Sequence, residues 1–322
     1  MNMLKQTSTY LCLVLLLLSG CMHEELGSCG LTLKLDYTDY ELPQSEDENI
    51  YLISFDGSGA YFSTHKYTYT DLQKSNGHIT LPIEYTEKDI IIWSGIDSAY
   101  YTLTPMTHGT SRLDDLRLAL ITTNNQSARS LPTLFHGRYE AQALSSGDER
   151  AHIMMQGSTN VINFSLKDQH GVALPTSAYK AQLVVANDVY DAQHSIHTAS
   201  NPITYFPTNN LSKSNNKNTN STIHTMRLLD ELEAPLSVTI EGNTVSIEGG
   251  LALDIIDHIQ ESIGDDGEIE NIDKNHVWDV TVAVDTEDTN NYVALSIRIN
   301  GWIKRFSTTP IGRNASIANE NK

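Results

Sequence analysis

Residues 278–302 read WDVTVAVDTEDTNNYVALSIRINGW, and this stretch indicates the class of fold. Apolar and polar residues alternate in it twice, at 278–284 and again at 293–299. Successive side chains of a β-strand point to opposite faces, so each run predicts a strand with one buried face. The second run is predicted to place four apolar residues on that face: Val293, Leu295, Ile297 and Ile299.

The same period of two extends backwards through most of the chain. Residues 31–37 alternate in this way, and residues 50–63 predict a hairpin whose turn is Asp56-Gly57-Ser58-Gly59. Residues 112–121 fit either a short helix or a strand. Further short strands or hairpins are predicted at residues 79–83, 89–93, 100–103, 152–156, 160–166, 179–186 and 236–247.

One segment has a helical period instead. Residues 251–263 carry an apolar stripe that includes Leu253, Ile256 and Ile259. Closely spaced strands without helices between them argue against a doubly wound sheet. We therefore predict a mainly β fold made of two tandem antiparallel β-sandwich domains, at residues 29–157 and 158–322, with one helix in the second.

The N-terminal segment has the features of a lipoprotein signal peptide. Lys5 is its only charged residue, and residues 11–18 form an apolar run that is too short to cross a bilayer as a stable helix. Leu18-Ser19-Gly20-Cys21 then follows the lipobox pattern, in which a branched residue and two small residues precede the modified cysteine. We predict that residues 1–20 are removed, that Cys21 carries the lipid, and that residues 21–28 form a tether.

The composition limits the partners and the cross-links of the chain. Asp and Glu number 40 against 21 Lys and Arg, which gives a net charge of −19. Nucleic acid is not an expected partner, because binding it needs clustered cations. Besides the lipidated Cys21, the mature chain has only Cys29, so no disulfide is expected within the monomer.

Candidate sites for chemistry are few. His136 has no nucleophile motif near it, so a structural role is expected for it. Four residues with metal-ligating side chains share one face of the predicted helix: Asp254, Asp257, His258 and Glu261. They would either bind a metal or form the solvated side of the helix, and we favour the solvated side. We therefore predict no catalytic residue, no metal site and no cofactor.

Several short motifs occur in an order that resembles a known family. In chain order they are the lipobox, Cys29, the strand at 31–37, the hairpin at 51–61, Trp93, Leu134-Phe135-His136-Gly137, Tyr205-Phe206-Pro207 and Gly301-Trp302. This order is similar to that of the FimB-type fimbrial anchor lipoproteins of Bacteroidota. Glu24 and Glu25, just after the lipobox, also resemble the signal that sends such lipoproteins to the outer face of the outer membrane.

The resemblance implies two transthyretin-like domains, a lipid anchor in the outer membrane at the cell surface, and a role in fimbria-mediated cell adhesion. It also implies a partner, the fimbrial shaft subunit or pilin, joined by addition of a β-strand to a sheet. In the polymerising relatives an arginine-specific protease removes the first strand. Here no arginine occurs between Cys21 and Arg112, so we expect the strand at 31–37 to stay in place.

The last long strand, or the sheet edge near it, is the predicted docking site for the pilin. Its docking residues would be Val293, Leu295, Ile297 and Ile299. An alternative function is glycan binding at the cell surface. That function would need exposed aromatic side chains on one sheet face, and the fifteen tyrosines of the chain allow it.

Overall fold

The computed structural model describes residues 30–37, 47–141, 150–208, 220–247, 250–266, 272, 275–289 and 291–306. This part of the chain is mostly β-strand, which confirms the predicted fold class. Neither of the α-helices within it is long and apolar enough to cross a membrane.

Short strands follow one another closely before residue 158. They are β1 (Gly30–Asp36), β2 (Glu48–Phe55), β3 (Tyr61–Thr68), β4 (His78–Pro82), β5 (Asp89–Ser94), β6 (Tyr101–Leu103), β7 (Arg117–Leu120), β8 (Gln126–Ser127), β9 (Phe135–Tyr139), β10 (Arg150–Met154) and β11 (Gln156–Gly157). Helix α1 (Tyr69–Lys74) follows β3 and begins with a capping box between Thr68 and Asp71. Short 3₁₀ helices lie at Ile83–Glu87 and Leu113–Asp115, so the ambiguous segment at 112–121 contains both a helical turn and a strand.

The second half adds longer strands and one longer helix. The strands are β12 (Thr159–Asp168), β13 (Tyr179–Val185), β14 (Val189–Asp191), β15 (Ile203–Tyr205), β16 (Asn220–Met226), β17 (Pro235–Ile240), β18 (Asn243–Thr244), β19 (Leu253–Asp254), β20 (Val277–Asp285), β21 (Val293–Ile299) and β22 (Trp302–Arg305). Helix α2 (Ile255–Asp266) begins later than the predicted segment because the Asp254 carboxylate accepts a hydrogen bond from the Ile256 N–H at 2.9 Å.

The strands of the described residues form five open sheets. The first sheet has the order β10-β1-β4, the central sheet β11-β9-β5-β2-β3, the third sheet β16-β12-β20-β21-β22, the fourth sheet β18-β17-β13-β15-β8 and a small sheet β14-β7-β6. Most pairings are antiparallel, as predicted. The pairs β1–β10, β12–β20 and β8–β15 are parallel, which side-chain alternation alone cannot reveal.

Strands also pair across residue 158, where the predicted domain boundary lies. β7 pairs with β14 in the small sheet, and β8 pairs with β15 at the edge of the fourth sheet. The two halves are therefore joined by backbone hydrogen bonds as well as by packing. The division into two domains at residue 158 stays a prediction.

The central sheet is buried on both faces. Strand β5 carries three isoleucines and Trp93 in succession, and all four side chains are fully buried. Ile90 and Ile92 belong to the apolar cluster that contains Leu31 and Leu33 of β1. Ile91 and Trp93 belong instead to the large cluster shared with the second half. A continuous apolar run is what a strand buried on both faces requires.

The prediction for residues 293–299 is wrong at one point. A register shift lies opposite Ala283 and Val284, so Leu295 is the extra residue of a bulge in β21. Ala294, Ile297 and Ile299 are fully buried as a result, whereas the side chains of Val293 and Leu295 are only half-buried. The four apolar residues therefore do not share one face.

A tight turn after β5 needs a glycine. Gly95 has a φ of +89°, and its N–H donates to the Asn49 carbonyl at 3.0 Å. A Cβ at this position would overlap the Thr133 carbonyl oxygen. Both the backbone conformation and the close approach therefore favour glycine here.

We expect Gly95→Ala to lower the free energy of unfolding by about 2–4 kcal/mol, because it adds a clash and backbone strain. Urea unfolding followed by tryptophan fluorescence measures the change. Gly57→Ala is the matched control, since no atom lies within 4 Å of the added Cβ and the φ of Gly57 is not positive. Equal stability of the two variants would contradict this account of the turn.

Candidate functional site

Strand β1 fills the middle of the first sheet. It pairs with β4 on one side and with β10 on the other, and the side chains of Leu31 and Leu33 are fully buried. Gly30 lies against the Leu81 carbonyl, where a Cβ would not fit. Because β1 is paired on both sides and buried, an incoming strand can take its place only if β1 leaves.

The predicted lipid attachment site, Cys21, lies outside the described residues.

The residues predicted to dock a partner lie in an internal strand. β21 pairs with β20 on one side and with β22 on the other. The backbone around Val293 also bonds to a second segment, since the Ala294 N–H donates to the Ser246 carbonyl at 2.8 Å. Ile297 and Ile299 are core residues. The outer edge of the third sheet in the described structure therefore belongs to β22.

Strand β22 has one face turned inward and one turned to solvent. The Lys304 ammonium pairs with the Glu261 carboxylate of helix α2 at 3.0 Å, and Trp302 packs against the core on the same face. Ile303 and Arg305 point the other way and are exposed, Ile303 to 47%. Within the described residues β22 pairs only with β21. No other strand of the described residues pairs with its outer edge, and an edge of this kind is one that another chain can extend.

The candidate ligands near helix α2 have structural tasks instead. Asp254 precedes the helix and caps it, so the four residues do not form one helical face. The His258 ring is buried, and its Nδ1 donates to the Asp254 carbonyl at 2.9 Å. Glu261 pairs with Lys304, and Asp257 is exposed. Among the described residues no group of three or more metal-ligating side chains comes together.

A buried cluster of rings joins the two halves, and the sequence pattern gave no sign of it. His136 of β9 stacks on His194, with the ring centroids 4.7 Å apart and the planes at 17°. Trp93 contacts both imidazoles from β5, and Tyr190 stacks on Trp93 with centroids 6.0 Å apart. We call these four residues the ring joint. Tyr190 and His194 are neighbours in sequence, but Trp93 and His136 are far from them and from each other, so no local pattern connects the four.

Hydrogen bonds define which ring nitrogen of each imidazole carries the proton. The Arg227 guanidinium donates to Nδ1 of His194 at 3.0 Å, so that nitrogen is an acceptor. Nε2 of His194 then carries the proton and donates to Ser158 Oγ at 2.7 Å. Nε2 of His136 donates to the Ala192 carbonyl at 3.1 Å. A second proton on His194 would face the guanidinium.

The environment of the ring joint lowers the pKa of both histidines. Burial lowers the pKa of His136 to about 4, with smaller contributions from the Arg227 and Arg138 charges. Burial also lowers the pKa of His194 well below its ordinary value of 6.5, helped by His136, Arg227 and His276. Neither ring is therefore charged near neutral pH.

Comparison with known proteins identifies the family of this chain. The family model of the fimbrillin-A associated anchor proteins Mfa1 and Mfa2 matches residues 18–308. The chain belongs to this anchor family. The match spans both halves of the fold, the first sheet and the edge strand β22.

Solved structures share the fold of this anchor-family chain. The fimbrial anchor protein Mfa2 of Porphyromonas gingivalis has a TM-score of 0.63 at 18% identity, over 86% of this chain and 99% of that one. A candidate polysaccharide-binding protein of Bacteroides thetaiotaomicron has a TM-score of 0.71 at 18% identity, over 87% and 99%. A candidate adhesin of Bacteroides ovatus has a TM-score of 0.68 at 16% identity, over 89% and 98%. No curated protein matches.

The ring joint makes the stability of this anchor-family protein depend on pH. Because the folded state holds His136 neutral, the unfolded state binds more protons below pH 6.5. Above neutral pH the contribution of the histidines is constant, and we expect stability to fall on acidification, by about 2 kcal/mol at pH 5 from His136 alone.

Urea unfolding at a series of pH values checks this prediction. His136→Phe should make the curve less steep between about pH 6.5 and pH 5, with the contribution of His194 remaining, whereas His170→Gln, which removes an exposed histidine, should leave it unchanged. A curve of the same shape in wild type and in His136→Phe would show that this histidine does not set the pH dependence.

Proposed function

We propose that the chain is a surface-attached anchor or accessory subunit of a fimbria and has no enzymatic activity. Lipid on Cys21 would hold it in the outer membrane, and its sheets would link that lipid to the fimbrial shaft. The observation that carries the proposal, beyond family membership, is that β1 is seated in its own sheet. A subunit whose first strand stays in place remains connected to its N-terminal lipid.

The position of β1 also bears on the direction of assembly. Its apolar side chains are buried between β4 and β10, so the place for an incoming strand is already taken. No arginine occurs between Cys21 and Arg112, so an arginine-specific protease has no site from which to release β1. We therefore propose that this chain ends the series of strand exchanges and does not accept a donor strand at this place.

The fimbrial shaft subunit would dock at the edge of the third sheet. We propose that its strand pairs with β22, where Ile303 and Arg305 are exposed beside the open edge. The residues first proposed for docking, Val293, Leu295, Ile297 and Ile299, would then support β22 from the neighbouring strand. Substituting Ile297 would remove a core side chain, so it cannot separate docking from folding.

Glycan binding is the second candidate function. It would place exposed aromatic side chains on a sheet face, since sugar rings pack on aromatic ones. Every aromatic side chain in the described part of the chain is buried or half-buried. This observation favours the anchor function over glycan binding. If the purified chain bound polysaccharides in a panel of them, glycan binding would become the favoured function.

We expect Ile303→Asp to reduce retention of the shaft subunit on the purified chain by at least about tenfold, with an unchanged thermal midpoint. A carboxylate at an open edge removes the apolar contact and repels strand addition. Val277→Asp is the matched control, because Val277 is 49% exposed in the same sheet but lies in the internal strand β20. Co-purification with the two variants at equal yield would rule out β22 as the docking edge.

A further inference from the structure

In the fourth sheet, part of the internal strand β13 is paired on one side only. β13 pairs with β17 from Tyr179 to Leu183, but it pairs with β15 only at residues 183–185. On the β15 side, residues 179–182 therefore have no strand partner among the described residues. Backbone N–H and C=O groups alternate along such an edge and are available to another strand.

The chain itself explains why β15 stops there. Pro207 has no N–H to give to a ladder, and the Phe206 N–H donates to the Ser127 carbonyl at 2.8 Å on the opposite side. The Thr208 N–H then donates at 2.7 Å to the carbonyl of Thr222, which lies in β16 of the third sheet. Residues 206–208 thus leave the fourth sheet and do not pair with the β13 edge.

A cavity of about 400 Å³ opens where β15 ends, and we call it the β13 notch. Phe206 and Pro207 close one end of it. Tyr179 and Ala181 line its inner side with Ser221, while Lys180 and Gln182 of the same strand line its outer side. A cavity that touches both faces of one strand lies at the edge of that strand.

We propose that the β13 notch binds an extended peptide segment of a partner protein, which adds a strand beside residues 179–182. Four extended residues span ~13 Å, which matches the length of open edge. A strand-shaped occupant fits better than a sugar, because the notch continues the line of β15 and offers backbone groups rather than an exposed aromatic face. The proposal rests on the proposed function in one respect, that the partner is a fimbrial subunit.

Charge indicates the chemistry of the segment. Lys180 is the only residue lining the notch with a formal charge at neutral pH, it is exposed, and it forms no ion pair among the described residues. A carboxylate beside it would gain an attractive contact in a chain that otherwise repels acidic partners. On the inner side, the Tyr179 and Ser221 hydroxyls lie 3.5 Å apart and are paired with each other. The segment is therefore an extended one that places an acidic residue beside Lys180.

The test uses the full mature chain and an array of overlapping peptides of about 12 residues that covers the fimbrial subunits of the same organism. In a Cys29→Ser background, Ser177→Cys is labelled after folding with a bulky maleimide that fills the notch. Ser195→Cys, labelled in the same way, is the matched control, because both serines are exposed and only Ser177 lines the notch.

We expect acidic peptides of the array to bind the unlabelled chain and binding to fall at least about tenfold with the label at Ser177 but not at Ser195. Lys180→Glu should weaken the same peptides. If no peptide binds, or if the label at Ser177 leaves binding unchanged, the proposal is overturned. Binding of a polysaccharide that the Ser177 label abolishes would also overturn it, in favour of a glycan site. The proposed function is judged separately, by retention of the intact shaft subunit.

Discussion

Burial of the central sheet on both faces is the constraint on which the rest of the structure depends. The run from Ile90 to Trp93 alternates between two apolar clusters, so one strand holds together the first sheet and the second half. Full burial of such side chains stabilises the fold by roughly 1.5–3 kcal/mol each. The chain reaches this packing with no disulfide in the described residues, and the interior has to supply the stability.

This constraint has a consequence for function. Because one face of the central sheet packs against the cluster of β1, removing β1 would expose Ile90 and Ile92 to water. The other face meets the second half through the ring joint, where Trp93 contacts His136 and His194. In the proposed anchor, a pull on the predicted tether would therefore pass through β1 into the central sheet and from there into the second half.

Much of the fold was predictable from alternation, since a half-buried strand shows its period locally. Residues 278–284 and 293–299 are strands, as predicted, but the bulge at Leu295 depends on the register with β20, which no single segment contains. Edge strand β22 is too short to show a period. The ring joint and the β13 notch each combine segments that are distant in sequence, so only the three-dimensional structure brings these segments together. Cys21 stays a prediction from its lipobox.

The claim that this chain anchors a fimbria is tested most directly in the native cell. Wild type is compared with Cys21→Ala by membrane fractionation and by the release of fimbriae into the medium. The account predicts that the variant becomes soluble and that fimbriae are shed with it. A soluble variant in cells whose fimbriae stay attached and normal would contradict the anchor function while leaving the lipoprotein prediction intact.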